Sequence, residues 1–336
     1  MTIKDLSAKT GYSVGTISRV LNDQPNVSKK AKQIILQAVE DSGFQLNANA
    51  KQLKQQHGNC VLAVVKGIGN EMFAELVEEL QSRFAQLKYP LIVDYIDEDM
   101  NEVARGAKLC AEKKPLGIFF LGGNHKNFQT DFDRIDVPCV LVSNSAAELE
   151  FSNLSSVYTD DFEASRQAME RLIQMGHRKI ALIGGNYDDS DTSRLRYDGC
   201  LAAMEAHGIA FDKTIGYVGT RFSYQVGYNA TKTLIERAEP FTALFAVADV
   251  LAIGAIRALR DHGLRVPEDV SVMGFDGLPL TNFLVPQLST VHQSVRPMAA
   301  RSVEILLDGI RYQAAARHER VPYAIMQRES TRFLKK

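Results

Sequence analysis

Two sets of side chains in this 336-residue chain are typed and spaced for recognition. The first is Ser13, Val14, Gly15, Thr16, Ser18 and Arg19, with Asn22 just beyond them. Arg19 carries a two-pronged guanidinium suited to a guanine edge, and the hydroxyls of Ser13, Thr16 and Ser18 suit phosphate oxygens, so the set points to DNA. The second set is scattered along the chain. Arg196 with Asp276 can bracket adjacent hydroxyls, and Phe73 or Phe222 can lie under the apolar face of a sugar ring. Asn70, Asn124 and Asp249 join them because each follows a strand-like apolar run, where ligands of parallel sheets bind. Alternatives stand beside two of these: Asp249 suits a helix cap and Phe73 suits a core; Arg194, close to Arg196 in the chain, suits a surface ion pair.

Other chemistry finds no support. Gly67-Ile68-Gly69 lacks the third glycine of a dinucleotide loop because position 72 is Met, and GxxxxGK, HExxH and CxxC do not occur. The histidines do not cluster with carboxylates or cysteines at ligand spacing; His177 reads as structural. Cys60, Cys110, Cys139 and Cys200 lie far apart in mostly apolar surroundings, as reduced thiols do. The expectation is a chain that is not an enzyme, with no cofactor and no metal.

The first set needs short helices to present it. Leu6 lies on a helix ending at Thr10-Gly11, Ser13 caps a second helix from Val14 to Leu21, and Ser28 caps a third before Gly43. In the third, Ala31, Ile34, Ile35, Ala38 and Val39 follow the spacing of a buried helical face. Two helices joined by a glycine turn and braced by a third form a helix-turn-helix. Residues 47–56, NANAKQLKQQ, form helix readily but hold Leu53 as their one large apolar side chain, so they order only against DNA or a second copy. Leu53 is then free to wedge between base steps in the minor groove; a linker with an idle leucine is the alternative.

From Val61 onward, apolar strands alternate with amphipathic helices, which implies parallel sheets with helices on both faces. The strands number too many for one small sheet, so two lobes divide near residue 160. The expected boundaries are 1–46 for the head, 47–59 for the hinge, and 60–336 for the body. Within the body, one lobe takes about 60–160 with 289–320, and the other about 161–288 with 321–336.

The charge of the whole chain is −1, which argues against a uniformly basic nucleic-acid coat. Residues 1–57 hold eight basic and four acidic side chains, so this head carries +4 and the remainder −5. The asymmetry suits a head that meets a polyanion. No apolar run reaches the roughly 18 residues of a membrane span, and the polar N-terminus lacks a secretory pattern, so a cytoplasmic chain with no membrane partner is expected.

TIKDLSAKTGYSVGTISRVLNDQPNVS and QLNANAKQL resemble the head and hinge of the LacI/GalR family of bacterial transcription regulators. GHRKIALIGG, SRLRYDG, FAVADVLAIGAIRAL, RVPEDVSVMGFD and PQLSTVHQ resemble landmarks of that family's effector-binding body, so the likeness spans nearly the whole chain. The resemblance implies a periplasmic-binding-protein-like α/β body, a homodimer on near-palindromic operator DNA, and a small-molecule effector, most simply a carbohydrate. It places Val14 and Gly15 where the family varies its base-reading pair, Arg19 at a kept arginine, and Leu53 at the intercalating leucine. Arg196, Asp276 and Phe222 match its effector-holding arginine, aspartate and stacking ring. Gly15 has no side chain to read a base, so operator choice would rest on Val14, Arg19 and DNA shape. Gly67-Ile68-Gly69 and Ala248 depart from residues common in relatives. A purine corepressor or a phosphorylated partner protein, with Ser190 and Thr192 as contacts, remains an alternative, as does a transport-type sugar-binding protein.

Overall fold

Capping side chains and apolar spacing define the head of this computed structural model, which describes residues 3–21, 27–42, 58–187, 190–237 and 239–334. They fall into two units, residues 1–57 and 58–336. In the first, helix α1 (Ile3–Thr10) stops at Gly11, whose φ of +74° suits glycine. Helix α2 (Val14–Leu21) starts where Ser13 Oγ accepts the Thr16 amide at 3.2 Å, and α3 (Lys29–Ser42) where Ser28 Oγ accepts the Ala31 amide at 3.2 Å. Leu6, Ile17, Val20, Ile35 and Ala38 close the head's core. Ile34, expected on that face, is instead 40 % exposed: the Ala31–Ile35–Ala38 row already fills the space between α1 and α2. Asn22, Leu53 and residues 47–57 of the expected hinge lie outside the described residues.

The body's first sheet is built from β1 (Val61–Lys66), β2 (Leu91–Ile96), β3 (Gly117–Leu121), β4 (Cys139–Ser143), β5 (Leu154–Tyr158) and β11 (His318–Arg320). Its order is β11-β5-β4-β3-β1-β2, and its pairings are parallel. Val61, Ala63 and Val65 enter one core while Cys60, Leu62 and Val64 enter another, so both faces are buried and the run reads as continuously apolar. Helices α4 (Glu71–Phe84), α5 (Glu102–Lys113), α6 (His125–Asp131) and α12 (Val295–Tyr312) accompany it.

The second sheet holds β6 (Ile180–Gly184), β7 (Tyr217–Gly219), β8 (Ala243–Ala246), β9 (Ser271–Asp276), β10 (Ser289–Gln293) and β12 (Tyr323–Met326), in the order β12-β10-β9-β8-β6-β7. The pairing of β10 with β12 is antiparallel. Helices α7 (Asp161–Gln174), α8 (Asp191–Ala206), α9 (Lys213–Gly216), α10 (Tyr224–Glu236) and α11 (Asp249–Asp261) surround it. Helices α10 and α11 pack through glycine: a Cβ on Gly227 would come within 2.5 Å of the Leu251 carbonyl, and one on Gly254 would strike the Tyr224 carbonyl.

Two details correct the sequence expectations. The strand Ser289–Gln293, expected with the first lobe, pairs beside β9 in the second sheet, and the chain crosses back only at Ser294. The expected strands omitted Leu154–Tyr158. This strand carries two serines into the sheet: Ser155 Oγ accepts the Arg317 amide at 3.1 Å and Ser156 Oγ accepts the Ala146 amide at 3.0 Å, which allows both to be buried. Among the described residues, no helix is long and apolar enough to cross a membrane.

Candidate effector crevice and DNA-reading helix

Both sheets reverse winding direction in the same way, at β1/β3 in the first and β6/β8 in the second, and such switch points open a crevice at the carboxyl ends of the strands. The connections after these strands meet across it. The His125 amide donates to Asp191 Oδ2 at 2.8 Å, and Thr192 Oγ1 donates to Asn144 Oδ1 at 3.2 Å. Gln293 Nε2, of the second lobe, lies 3.0 Å from Met72 Sδ, of the first.

Arg196, in the second turn of α8, is buried on the second-lobe side. Its Nε donates to Asp161 Oδ1 at 2.8 Å, and its Nη1 donates to the Val247 carbonyl at 2.6 Å and to Asp276 Oδ1 at 3.3 Å. The guanidinium lies 3.7 Å from the centroid of the Phe275 ring. One edge, one face and one terminal nitrogen are therefore fixed by the protein, which aims the remaining nitrogen.

Asp276 ends β9 with φ +117°, a left-handed conformation that is strained for a side chain of this kind. The strain sets its carboxylate against Arg196 and under the Gln293 amide, which donates to Oδ1 at 2.9 Å. Burial raises its pKa, with Arg196 opposing. Asp161 is pushed in the same direction by burial, again opposed by Arg196.

Asp249 stands at the first position of α11 without capping it: the preceding Ala248 is the cap residue and makes no side-chain bond. The fully buried Asp249 carboxylate instead accepts the Gly277 amide at 2.7 Å, the Leu278 amide at 2.8 Å and the Thr290 hydroxyl at 2.7 Å. It thereby fixes the turn that follows Asp276. Burial raises its pKa, and the Asp276 charge adds to the rise.

The other expected residues distribute as follows. Phe222 is half-buried beside Gly185, where a Cβ would come within 3.0 Å of its ring. Phe73 is 7 % exposed and sits in the core with its ring against Gly122. Asn70 caps α4 by accepting the Phe73 amide at 3.2 Å, and Asn124 caps α6 by accepting the Lys126 amide at 2.9 Å. Arg194 pairs with Asp191 at 3.1 Å, and Ser190 caps α8. The structure thus brings Arg196, Asp276 and Asp249 together. Asn70 and Asn124 serve as caps next to residues that touch the other lobe.

Sequence reasoning missed Asp161, Asn144, Gln293 and Glu102. Glu102 is fully buried; it accepts Lys66 Nζ at 2.6 Å, the Asn124 amide at 2.7 Å and Asn127 Nδ2 at 2.9 Å, and so anchors the connection after β3. Asp161 was visible only as the second of two successive acids at a helix start, where Asp160 is the one that caps. Among the described residues, no group of three or more His, Cys, Asp or Glu side chains is placed to hold a metal.

In the head, Ile17 and Val20 of α2 face the core while Gly15 and Arg19 are exposed and Thr16 is half-buried. Ser13 Oγ is engaged at the helix cap and lies 2.9 Å from Thr16 Oγ1. Val14 and Ser18 belong to α2, but their side chains lie outside the described residues. An exposed arginine on the second helix of a helix-turn-helix is the geometry of a DNA-reading face.

Residues 2–47 match the family described as bacterial regulatory proteins, lacI family, and residues 169–331 match a periplasmic binding protein-like domain. The HTH-type transcriptional regulator MalR of Clostridium butyricum is 31 % identical over 333 residues, covering 98 % of this chain and 99 % of its own. The chain belongs to the lacI family of bacterial regulatory proteins. It is a DNA-binding transcriptional regulator and not an enzyme. Among solved structures, the complex of the transcriptional regulator CelR with cellobiose is 26 % identical with a TM-score of 0.69, covering 98 % of this chain and 99 % of its own. The lac repressor dimer bound to operator and the anti-inducer ONPF has a TM-score of 0.75 at 23 % identity, covering 99 % of each chain, and shares the fold.

Proposed function

We propose that this lacI-family regulator is a repressor that binds a near-palindromic operator as a homodimer and releases or tightens on it when a carbohydrate enters the crevice. The observation that carries the reading is Arg196, pinned by Asp161 and the Val247 carbonyl beside the strained Asp276. A donor and an acceptor held side by side suit adjacent hydroxyls, and Phe222 supplies a flat apolar surface nearby. The cellobiose complex of the similar CelR supports a sugar as the ligand class. The exposed apolar run Leu280 (40 %), Phe283 (81 %) and Val285 (88 %) on the second lobe supports association with a second copy. Effector and operator binding are then reciprocally coupled, each changing the other's affinity by the same factor.

The test is a gel-shift titration of the full chain on operator DNA with a sugar panel. Arg196→Ala, assayed at a temperature where circular dichroism shows its destabilised body still folded, is expected to retain operator binding and to lose the sugar response. A normal response in that variant refutes the pocket assignment.

A further inference from the structure

At the edge of the crevice a single arginine meets three acids of the opposite lobe. Arg221 lies in the turn between β7 and α10, in the second lobe; Asp97, Glu98 and Asp99 follow β2, in the first. Nη2 of Arg221 is 2.7 Å from Asp97 Oδ1 and Nη1 is 3.3 Å from Asp99 Oδ2, while Nε donates to Glu98 Oε1. Just beyond it the Tyr224 hydroxyl donates to Glu71 at the start of α4. Both β2 and β7 are edge strands, so this cluster joins the lobes at one margin of the crevice. The His125–Asp191 and Thr192–Asn144 bonds join them after β3 and β4, further across the first sheet.

We propose that Arg221 is an ionic latch that holds the two lobes closed and regulates access to the crevice. Without the guanidinium, three successive acids face the second lobe with no cation among the groups described at that contact, so their mutual repulsion adds to the loss of attraction. The latch is also joined to the ligand site. Arg221 immediately precedes Phe222, whose ring rests on Gly185, so a ligand that shifts this ring moves the backbone that carries the latch. Arg221 is a positioning residue: it touches the opposite lobe and acts on the ligand through lobe closure. This regulatory role rests on the crevice being the effector site, but the closure itself can be measured without any effector.

The His125 amide is a natural reporter, because its acceptor, Asp191, belongs to the other lobe. The Asn127 amide, bonded to the Asn124 carbonyl at 2.9 Å within the first lobe, is the internal control. Hydrogen exchange is read by NMR on the full chain with no ligand present. Arg221→Glu is expected to speed exchange at His125 by about three- to tenfold, the range for a small network of exposed ion pairs, and to leave Asn127 unchanged. Arg221→Lys keeps the charge and is expected to stay close to the parent. Salt at about 1 M shortens the screening length to roughly 3 Å and is expected to bring the parent toward the Arg221→Glu rate. An unchanged His125 rate in Arg221→Glu, equal rates in the Lys and Glu variants, or acceleration of Asn127 to the same degree overturns the latch. Failure of every sugar to alter operator binding counts against the crevice as effector site and leaves the exchange result standing.

Discussion

Removing the Arg196 guanidinium is expected to destabilise the body through the charges it leaves behind. The side chains of Arg196 and Asp161 are 5 % and 3 % exposed, so solvent does little to screen their 2.8 Å contact. Breaking a buried pair of this kind by deleting one partner costs about 3 to 5 kcal/mol, against roughly 0.2 to 1 kcal/mol for an exposed pair. Arg196→Met also strips the Val247 carbonyl of its 2.6 Å donor, which adds about 1 kcal/mol. Asp161→Asn leaves the guanidinium a carbonyl oxygen to bond and removes one of two carboxylates competing for it, so its cost is expected to be nearer 2 kcal/mol, the cost of weakening a charge-assisted hydrogen bond. The double variant carries neither the orphaned Asp161 carboxylate nor an under-bonded guanidinium, and only Asp276 still loses its cation. It is expected to be more stable than the sum of the single effects by about 2 kcal/mol, the interaction measured by a double-mutant cycle. The chain has no tryptophan, so urea unfolding followed by circular dichroism at 222 nm is the suitable assay. Additivity of the two substitutions within about 0.5 kcal/mol refutes a coupled buried pair and leaves Arg196 as an independently tolerated side chain.

Three further outcomes follow from the geometry. Gly254→Ala drives a methyl group into the Tyr224 carbonyl where α10 and α11 meet and is expected to cost about 1 to 3 kcal/mol by overpacking, read as a lower urea midpoint; an unchanged midpoint refutes the close helix contact. Asp249→Asn can turn its carbonyl toward the Gly277 and Leu278 amides and donate to Thr290, whose hydroxyl lies 3.3 Å from the Val291 carbonyl, so the fold is expected to persist. Because the folded-state pKa of Asp249 is raised, the protonated form is stabilising below the unfolded value and that stability is lost as pH rises; Asp249→Asn is therefore expected to gain on the parent from about pH 4 upward, by at most about 1.4 kcal/mol per pH unit, and a constant difference in stability across the range contradicts the assignment. In the head, Arg19→Ala is expected to lower the preference for operator over random DNA by about 1 to 3 kcal/mol without unfolding the body, and an unchanged preference in competition gel shifts removes Arg19 from the reading face.

What the sequence made legible and what it hid differ in the range of the interactions involved. Ser13 and Ser28 were readable as caps because a cap bonds an amide only three residues away, and both make that bond. The strand from Val61 was readable because burial of both faces leaves an unbroken apolar run. Asp249 looked like a cap by the same local rule. The rule failed because its carboxylate is drawn to amides at 277 and 278, a partnership set by where β9 ends beside α11 and by nothing near Asp249 in the chain. Asp161 shows the same limit: it and Arg196 are 35 positions apart and meet only once α7 and α8 pack together, and its neighbour Asp160 takes the local role. The crevice is built almost wholly of such distant pairs, including Arg221 with three acids more than 120 positions earlier. Side chains that bond across a closing cleft must change partners when it opens, so the residues least visible to local rules are the ones on which lobe movement depends. The proposed ligand site, by contrast, keeps its pairs inside the second lobe, where Arg196 is held by Asp161, Val247 and Asp276. A site preassembled in one lobe and closed by separable contacts with the other lets ligand affinity and lobe closure be altered independently, which is why Arg196→Ala and Arg221→Glu are expected to fail in different assays.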